Sequence, residues 1–220
     1  MKCLIVNGDD FGASPGINRG IIEAHERGIL TSASLMVDLP GAEEAAELAQ
    51  SRPDLSVGLH VVLTHEDGER SVPSGGAGEE IERQFEHFWA LLGRSPTHLD
   101  SHHNIHFEPA YEPFFRDAAR RHSRPLRGYS EARYVHRFYG QWNDGSTHLE
   151  LVSVEGLIQV LESEVGEGFT EIGCHPGYVD PGFKSSYSTE REAELRTLCA
   201  PAARAAAEQL AIRLVNFTAL

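Results

Sequence analysis

The sequence is short of cysteine, of positive charge and of long apolar runs. Cys3, Cys174 and Cys199 are the cysteines of a 220-residue chain, too few and too scattered for a disulfide framework or a Cys-based zinc knuckle. Lys and Arg number 19 against 33 Asp and Glu, a formal net charge of −14. That balance excludes a phosphate-backbone binder, which relies on clustered cations. No apolar stretch approaches the roughly 18 residues of a membrane span, and no basic segment precedes the first apolar run. Linkers, low-complexity tracts and tandem repeats are absent as well. The expectation is one domain over residues 1–220, located in the cytoplasm, with neither nucleic acid nor membrane as partner. The apolar fraction of 40% is ordinary, and self-association into a homo-oligomer stays open.

What the chain does have is histidine. There are 12, and His98, His102, His103 and His106 fall within one short segment. Such clustering directs attention to a metal or proton-transfer site.

Short apolar runs alternate with helical patterns. Lys2–Asn7 reads as a buried strand, followed by Ser14 as a helix N-cap, Pro15 at the first helical position and Gly28 as the stop. Ile29–Val37 and Ser56–Thr64 read as strands around an Ala42–Gln50 helix. A polar loop follows over His65–Gly78. Glu79–Leu92 has an apolar stripe of Ile81, Phe85, Phe88, Trp89 and Leu92. Strands are expected at Thr97–Asp100, Leu126–Tyr129, Thr170–Cys174 and Ile212–Phe217, and helices at Glu112–His122, Val154–Val165 and Glu190–Gln209, the last open to interruption at Pro201. Ser130–His148 shows no period and reads as an irregular excursion. About seven strands alternating with helices predict an α/β fold, a (β/α) barrel-like parallel sheet in one domain. A doubly wound open sheet is the alternative, but the glycine-rich dinucleotide fingerprint is missing after the first strand.

The polar residues fall at strand ends. Asp9 and Asp10 follow the first strand, His60 lies inside VGLHVVL, and Asp100, His102, His103 and His106 follow the fourth. Arg127 sits on the expected fifth strand and His175 directly after the sixth. In a parallel barrel these ends share one face, so the residues converge there. One carboxylate and two imidazoles suit a divalent ion such as Zn²⁺, a second carboxylate could take a proton from water, and a histidine opposite could protonate a leaving group. Spacing alone leaves open which carboxylate does which. DSHHNIH permits two readings: a helix pairing His102 with His106, or a strand end that turns only one of His102 and His103 inward.

The segments NGDDFG, SPGINRGI with GILTSASLM, VGLH, PTHLDSHHNIH and CHPGYVD resemble, in order and from Leu4 to about Leu198, the motif series of the YdjC-like carbohydrate deacetylases. The resemblance implies a barrel-like fold and metal-dependent removal of N-acetyl groups from amino sugars or small oligosaccharides, with release of acetate. It implies Asp10, His60 and His102 as ligands of one divalent ion (Zn²⁺ or Mg²⁺), Asp9 as catalytic base and His175 as general acid. Arg127 could orient Asp9 by a charge-assisted hydrogen bond, serve equally as a structural ion-pair partner, or contact substrate. His103, His106, Tyr178, Asp180 and Trp142 are candidate sugar contacts. His25, His87, His122 and His148 are expected to be solvated. Members acting on chitobiose carry a longer insertion where this chain has His65–Gly78, so an acetylated amino sugar within another small metabolite fits as well. The rival readings are another barrel metallohydrolase, such as a phosphoesterase, and a non-catalytic sugar- or metal-binding protein.

Overall fold

A 10-residue strand, β1 (Lys2–Phe11), is the spine of the molecule, buried at every position after Lys2. Its apolar stretch Cys3–Val6 belongs in the middle of a parallel sheet, where helices cover both faces. The computed structural model describes every residue except Glu66, in the expected His65–Gly78 loop, and Asn143, in the expected Ser130–His148 excursion, which lie outside the described residues. Around β1 stand β2 (Ser32–Leu35), β3 (Ser56–Val61), β4 (Leu99–Ser101), β5 (Arg133–Val135), β6 (Gly168–Cys174) and β7 (Ile212–Leu214). They run in the order β4-β3-β2-β1-β6-β5, and β7 pairs with the N-terminal end of β1. Every ladder is parallel. The sheet curls into a half-barrel inside its helices, as the alternating pattern predicted.

The helices are α1 (Pro15–Arg27), α2 (Ala42–Gln50), α3 (Ala77–Leu92), α4 (Glu112–His122), α5 (Val154–Glu164), α6 (Thr189–Leu198) and α7 (Pro201–Gln209). Ser14 caps α1 through its side chain, which accepts from the Ile17 amide. Proline cannot continue a helix because it lacks the donor N–H, so Pro201 starts α7 and divides the expected Glu190–Gln209 helix in two. The α3 stripe is Ile81, Phe85, Phe88 and Leu92; Trp89, expected within it, is exposed.

Two strand expectations change. Leu126–Tyr129 is reduced to one bridge between Leu126 and Leu99. The edge strand beside β6 is instead β5, inside the stretch read as irregular. Residues 126–135 thus cross from the β4 edge to the β6 edge and carry Arg127 beneath the sheet opening. No helix among the described residues is long and apolar enough to cross a membrane.

The loop after β6 is held against α1. A Cβ on Gly20 would lie 2.4 Å from the Gly177 Cα, so only glycine allows this approach. Gly20→Ala is expected to destabilise the protein by about 1–3 kcal/mol through overpacking, seen as a lower denaturation midpoint. An unchanged midpoint would mean the two segments part freely.

Candidate active site

Strand alternation would send Asp9 and Asp10 to opposite faces. The chain avoids this at Asp10, whose φ is +67°, with a register shift in the β1–β2 ladder between Gly8 and Phe11. The bulge turns Asp10 toward the same cavity as Asp9. Such a left-handed non-glycine residue stores local strain, a feature concentrated at functional sites. His103 and Asn104, at the cavity wall, are also left-handed, with φ of +55° and +51°.

Asp10, His60 and His102 converge, and one potential ligand atom from each lies within 4.8 Å of the others. Asp10 Oδ1 is 3.4 Å from His60 Nε2 and 3.2 Å from His102 Nδ1. The second nitrogen of His60, Nδ1, lies 2.7 Å from Asp100 Oδ1. A carboxylate in that place orients an imidazole so that its other nitrogen faces a metal. Burial disfavours a charged His60, yet Asp100, Asp10 and Asp9 outweigh it and push its pKa up to about 10. The cage therefore favours positive charge at its centre, and mixed oxygen and nitrogen donors around it fit a divalent ion.

Asp9 is held from below. Arg127 Nη1 and Nη2 each donate to one oxygen of Asp9 at 2.7 Å, and Asn7 Nδ2 donates at 2.8 Å. Arg127 also reaches Asp100 at 2.8 Å and Glu171 at 2.7 Å. Burial by itself would raise the Asp9 carboxyl, but the Arg127 guanidinium holds it below the usual carboxylate range. His175 Nε2 lies 3.9 Å from Asp9 Oδ2. Burial pushes the imidazole down to about 4, so it is neutral at neutral pH.

Asp9, Asp10, His60, His102 and His175 line a cavity of about 900 Å³ whose walls include Phe107, Tyr134, Tyr139, His103 and Asn104. A family profile for YdjC-like proteins matches residues 3–209. The chain belongs to the YdjC-like family. It is 37% identical to a carbohydrate deacetylase of Geobacillus stearothermophilus, covering 98% of this chain and 97% of that protein. It is 35% identical to a chitooligosaccharide deacetylase of Serratia marcescens, with 98% of each covered. A crystal structure from Enterococcus faecalis V583, of a protein described as a candidate in cellobiose-phosphate cleavage, superposes with a TM-score of 0.86 at 29% identity, covering 99% of this chain and 98% of that one. A family 4 carbohydrate esterase from Streptomyces lividans shares the fold, with a TM-score of 0.59 at 12% identity over 97% of this chain and 91% of that one.

Within this YdjC-like chain, several expected sugar contacts lie elsewhere. Arg127, expected to orient Asp9 or to contact substrate, is fully buried against Asp9 and is not among the described residues that line the cavity. His106 is fully buried too, its Nδ1 2.6 Å from Ser101 Oγ. The left-handed turn at His103 and Asn104 breaks the helix that would have paired His106 with His102. Tyr178 donates its hydroxyl to Glu23 at 2.6 Å, and Asp180 accepts the Gly16 amide at 2.6 Å. Both fasten the post-β6 loop to α1. Trp142 stacks on His148 outside the cavity lining. Of the histidines expected to be solvated, His122 stacks on Phe85.

The sequence predicts a helix here but does not single out the residues that α6 brings to the site. Its Arg191 donates to Asp10 Oδ2 at 2.7 Å. Glu194 accepts the His175 amide and the Tyr187 hydroxyl. Glu190 accepts from Thr147 at 2.5 Å and Gln141 at 3.0 Å. All three are buried. Charges at i, i+1 and i+4 on a helix ordinarily mark a solvated face, so nothing in the sequence singled them out.

Proposed function

We propose that this chain is a carbohydrate N-deacetylase that hydrolyses the acetamide of an acetylated amino sugar or short oligosaccharide and releases acetate. The observation that carries the reading is the convergence of Asp10, His60 and His102 with a second carboxylate, Asp9, and a histidine, His175, in one cavity of a YdjC-like chain. The names of its relatives, carbohydrate deacetylase and chitooligosaccharide deacetylase, give the substrate class.

Asp10, His60 and His102 would hold one divalent ion. Such an ion polarises an amide carbonyl and makes water a better nucleophile near neutral pH. The nitrogen-containing donor set suits Zn²⁺, while Mg²⁺ would fill its sphere with water oxygens.

The remaining steps belong to the side chains. Asp9, kept ionised by Arg127, accepts the proton of the attacking water. His175, neutral at rest, stands close enough to Asp9 for that proton to reach Nε2 and pass to the departing amine. Asp100 keeps the His60 ring in register, and Arg191 fixes Asp10. Phe107, Tyr134 and Tyr139 offer ring faces and His103 and Asn104 polar edges to the sugar, in place of Tyr178 and Asp180. A reducing compartment such as the cytoplasm fits the three cysteines, all of which are free.

The test is acetate release from N-acetylated mono-, di- and trisaccharides. Chelation is expected to abolish turnover, and separate addition of Zn²⁺ or Mg²⁺ to restore it and identify the ion. Phosphate release from phosphate esters, or saturable sugar binding with no acetate from any substrate, would overturn the reading.

A further inference from the structure

Arg127 carries one positive charge and has three acidic neighbours. Its Nη edge serves Asp9 and Asp100, and its Nε donates to Glu171 Oε1 at 2.7 Å. The Tyr134 ring covers one face of the guanidinium, 4.7 Å from its centre. Glu171 stands on β6, in register with Ile5 of β1 and Tyr134 of β5, and has no solvent exposure. Its other oxygen, Oε2, meets no hydrogen-bond donor among the described residues.

A charged carboxylate with one bare oxygen in a dry interior is costly, whereas a carboxylic acid with its proton on that oxygen is far less so. If Glu171 were ionised, the Arg127 charge would be divided among three anions, and the ionised form of Asp9 would be less favoured. If it were absent, Nε would be a buried donor without an acceptor and the fork would be free to swing.

We propose that Glu171 is a positioning residue: as a neutral carboxylic acid it anchors Arg127 by Nε and leaves the guanidinium charge to Asp9 and Asp100. Burial, the largest influence on it, pushes the Glu171 carboxyl up to about 7 in spite of Arg127, which agrees with that geometry. The role rests on the reading of Asp9 as the base.

Glu171→Gln and Glu171→Leu test it. The infrared difference between wild type and Glu171→Gln in mildly acidic buffer is expected to show one protonated-carboxyl stretch, lost in the variant. Signals from other buried acids, Glu194 among them, cancel. Glu171→Leu is expected to lower kcat for acetate release about 10–100-fold with KM and metal content unchanged, as misplacement of a catalytic group does. Glu171→Gln, a neutral acceptor for Nε, is expected to recover most of that loss. The absence of the stretch, a Gln variant as impaired as the Leu variant, or an unimpaired Leu variant would each overturn the proposal. If wild type released no acetate, the functional reading would fall, while the infrared result would still decide the state of Glu171.

Discussion

Asp9→Asn is expected to lower acetate release by about 10²–10⁴-fold, the range that a general base contributes, while the purified variant keeps its metal. Asparagine has the size of aspartate but cannot take a proton from water. Asp9 also lies behind the Asp10–His60–His102 cluster, tied to Arg127 and Asn7. Arg127 would retain Asp100 and Glu171 as acidic neighbours, so the variant is expected to fold. Asp10→Asn should behave oppositely, because it removes the only carboxylate of that cluster. Elemental analysis of the two purified variants separates the roles: loss of metal from Asp9→Asn with retention in Asp10→Asn would reverse them.

The parts of the molecule that repeat were readable in advance. The cap at Ser14, the stop at Gly28 and the short apolar strands follow from local rules, and the family motifs mark Asp9, Asp10, His60, His102 and His175. Structure brings those five together at one end of the sheet. What was not readable depends on partners distant in sequence. Arg191 and Glu194 look like solvent-facing helix charges until Asp10, the His175 amide and Tyr187 are placed beside them. The three residues of β5 are too few to show a period, and only the exposed edge of β6 makes them a strand. Arg127 was visible as a residue near the site, yet its full burial, which separates orienting Asp9 from touching sugar, belongs to the tertiary structure. The inward turn of both aspartates required a positive φ at Asp10 that no glycine announces.

The largest effect on stability is expected from Arg127→Met. Methionine fills much of the same space but leaves Asp9 and Asp100 buried without their shared guanidinium and takes the Nε donor from Glu171, a change worth about 3–5 kcal/mol at neutral pH. Typical domains are stable by only about 5–15 kcal/mol, so the loss should be plain in urea denaturation. The pH dependence identifies the cause. In wild type, burial raises and Arg127 more than offsets the Asp9 and Asp100 carboxyls, so both are held below their usual values. Their contribution is complete above the unfolded pKa and is lost only as the pH falls through the lower folded values. Burial pushes Glu171 and Glu194 up to about 7 and about 8. Those two contribute the opposite slope: stability is full below the unfolded carboxyl pKa and declines as pH rises through the folded values. Without Arg127, Asp9 and Asp100 shift toward the second group, since burial is then opposed more weakly, by His60 and by the neutral donors Asn7 and Ser34. Each added acid steepens the decline by up to about 1.4 kcal/mol per pH unit. The gap between variant and wild type should therefore widen from mildly acidic to neutral pH and narrow again in acid. A gap that stays constant across that range would mean that Arg127 contributes packing alone and is not the counter-ion that keeps Asp9 ionised.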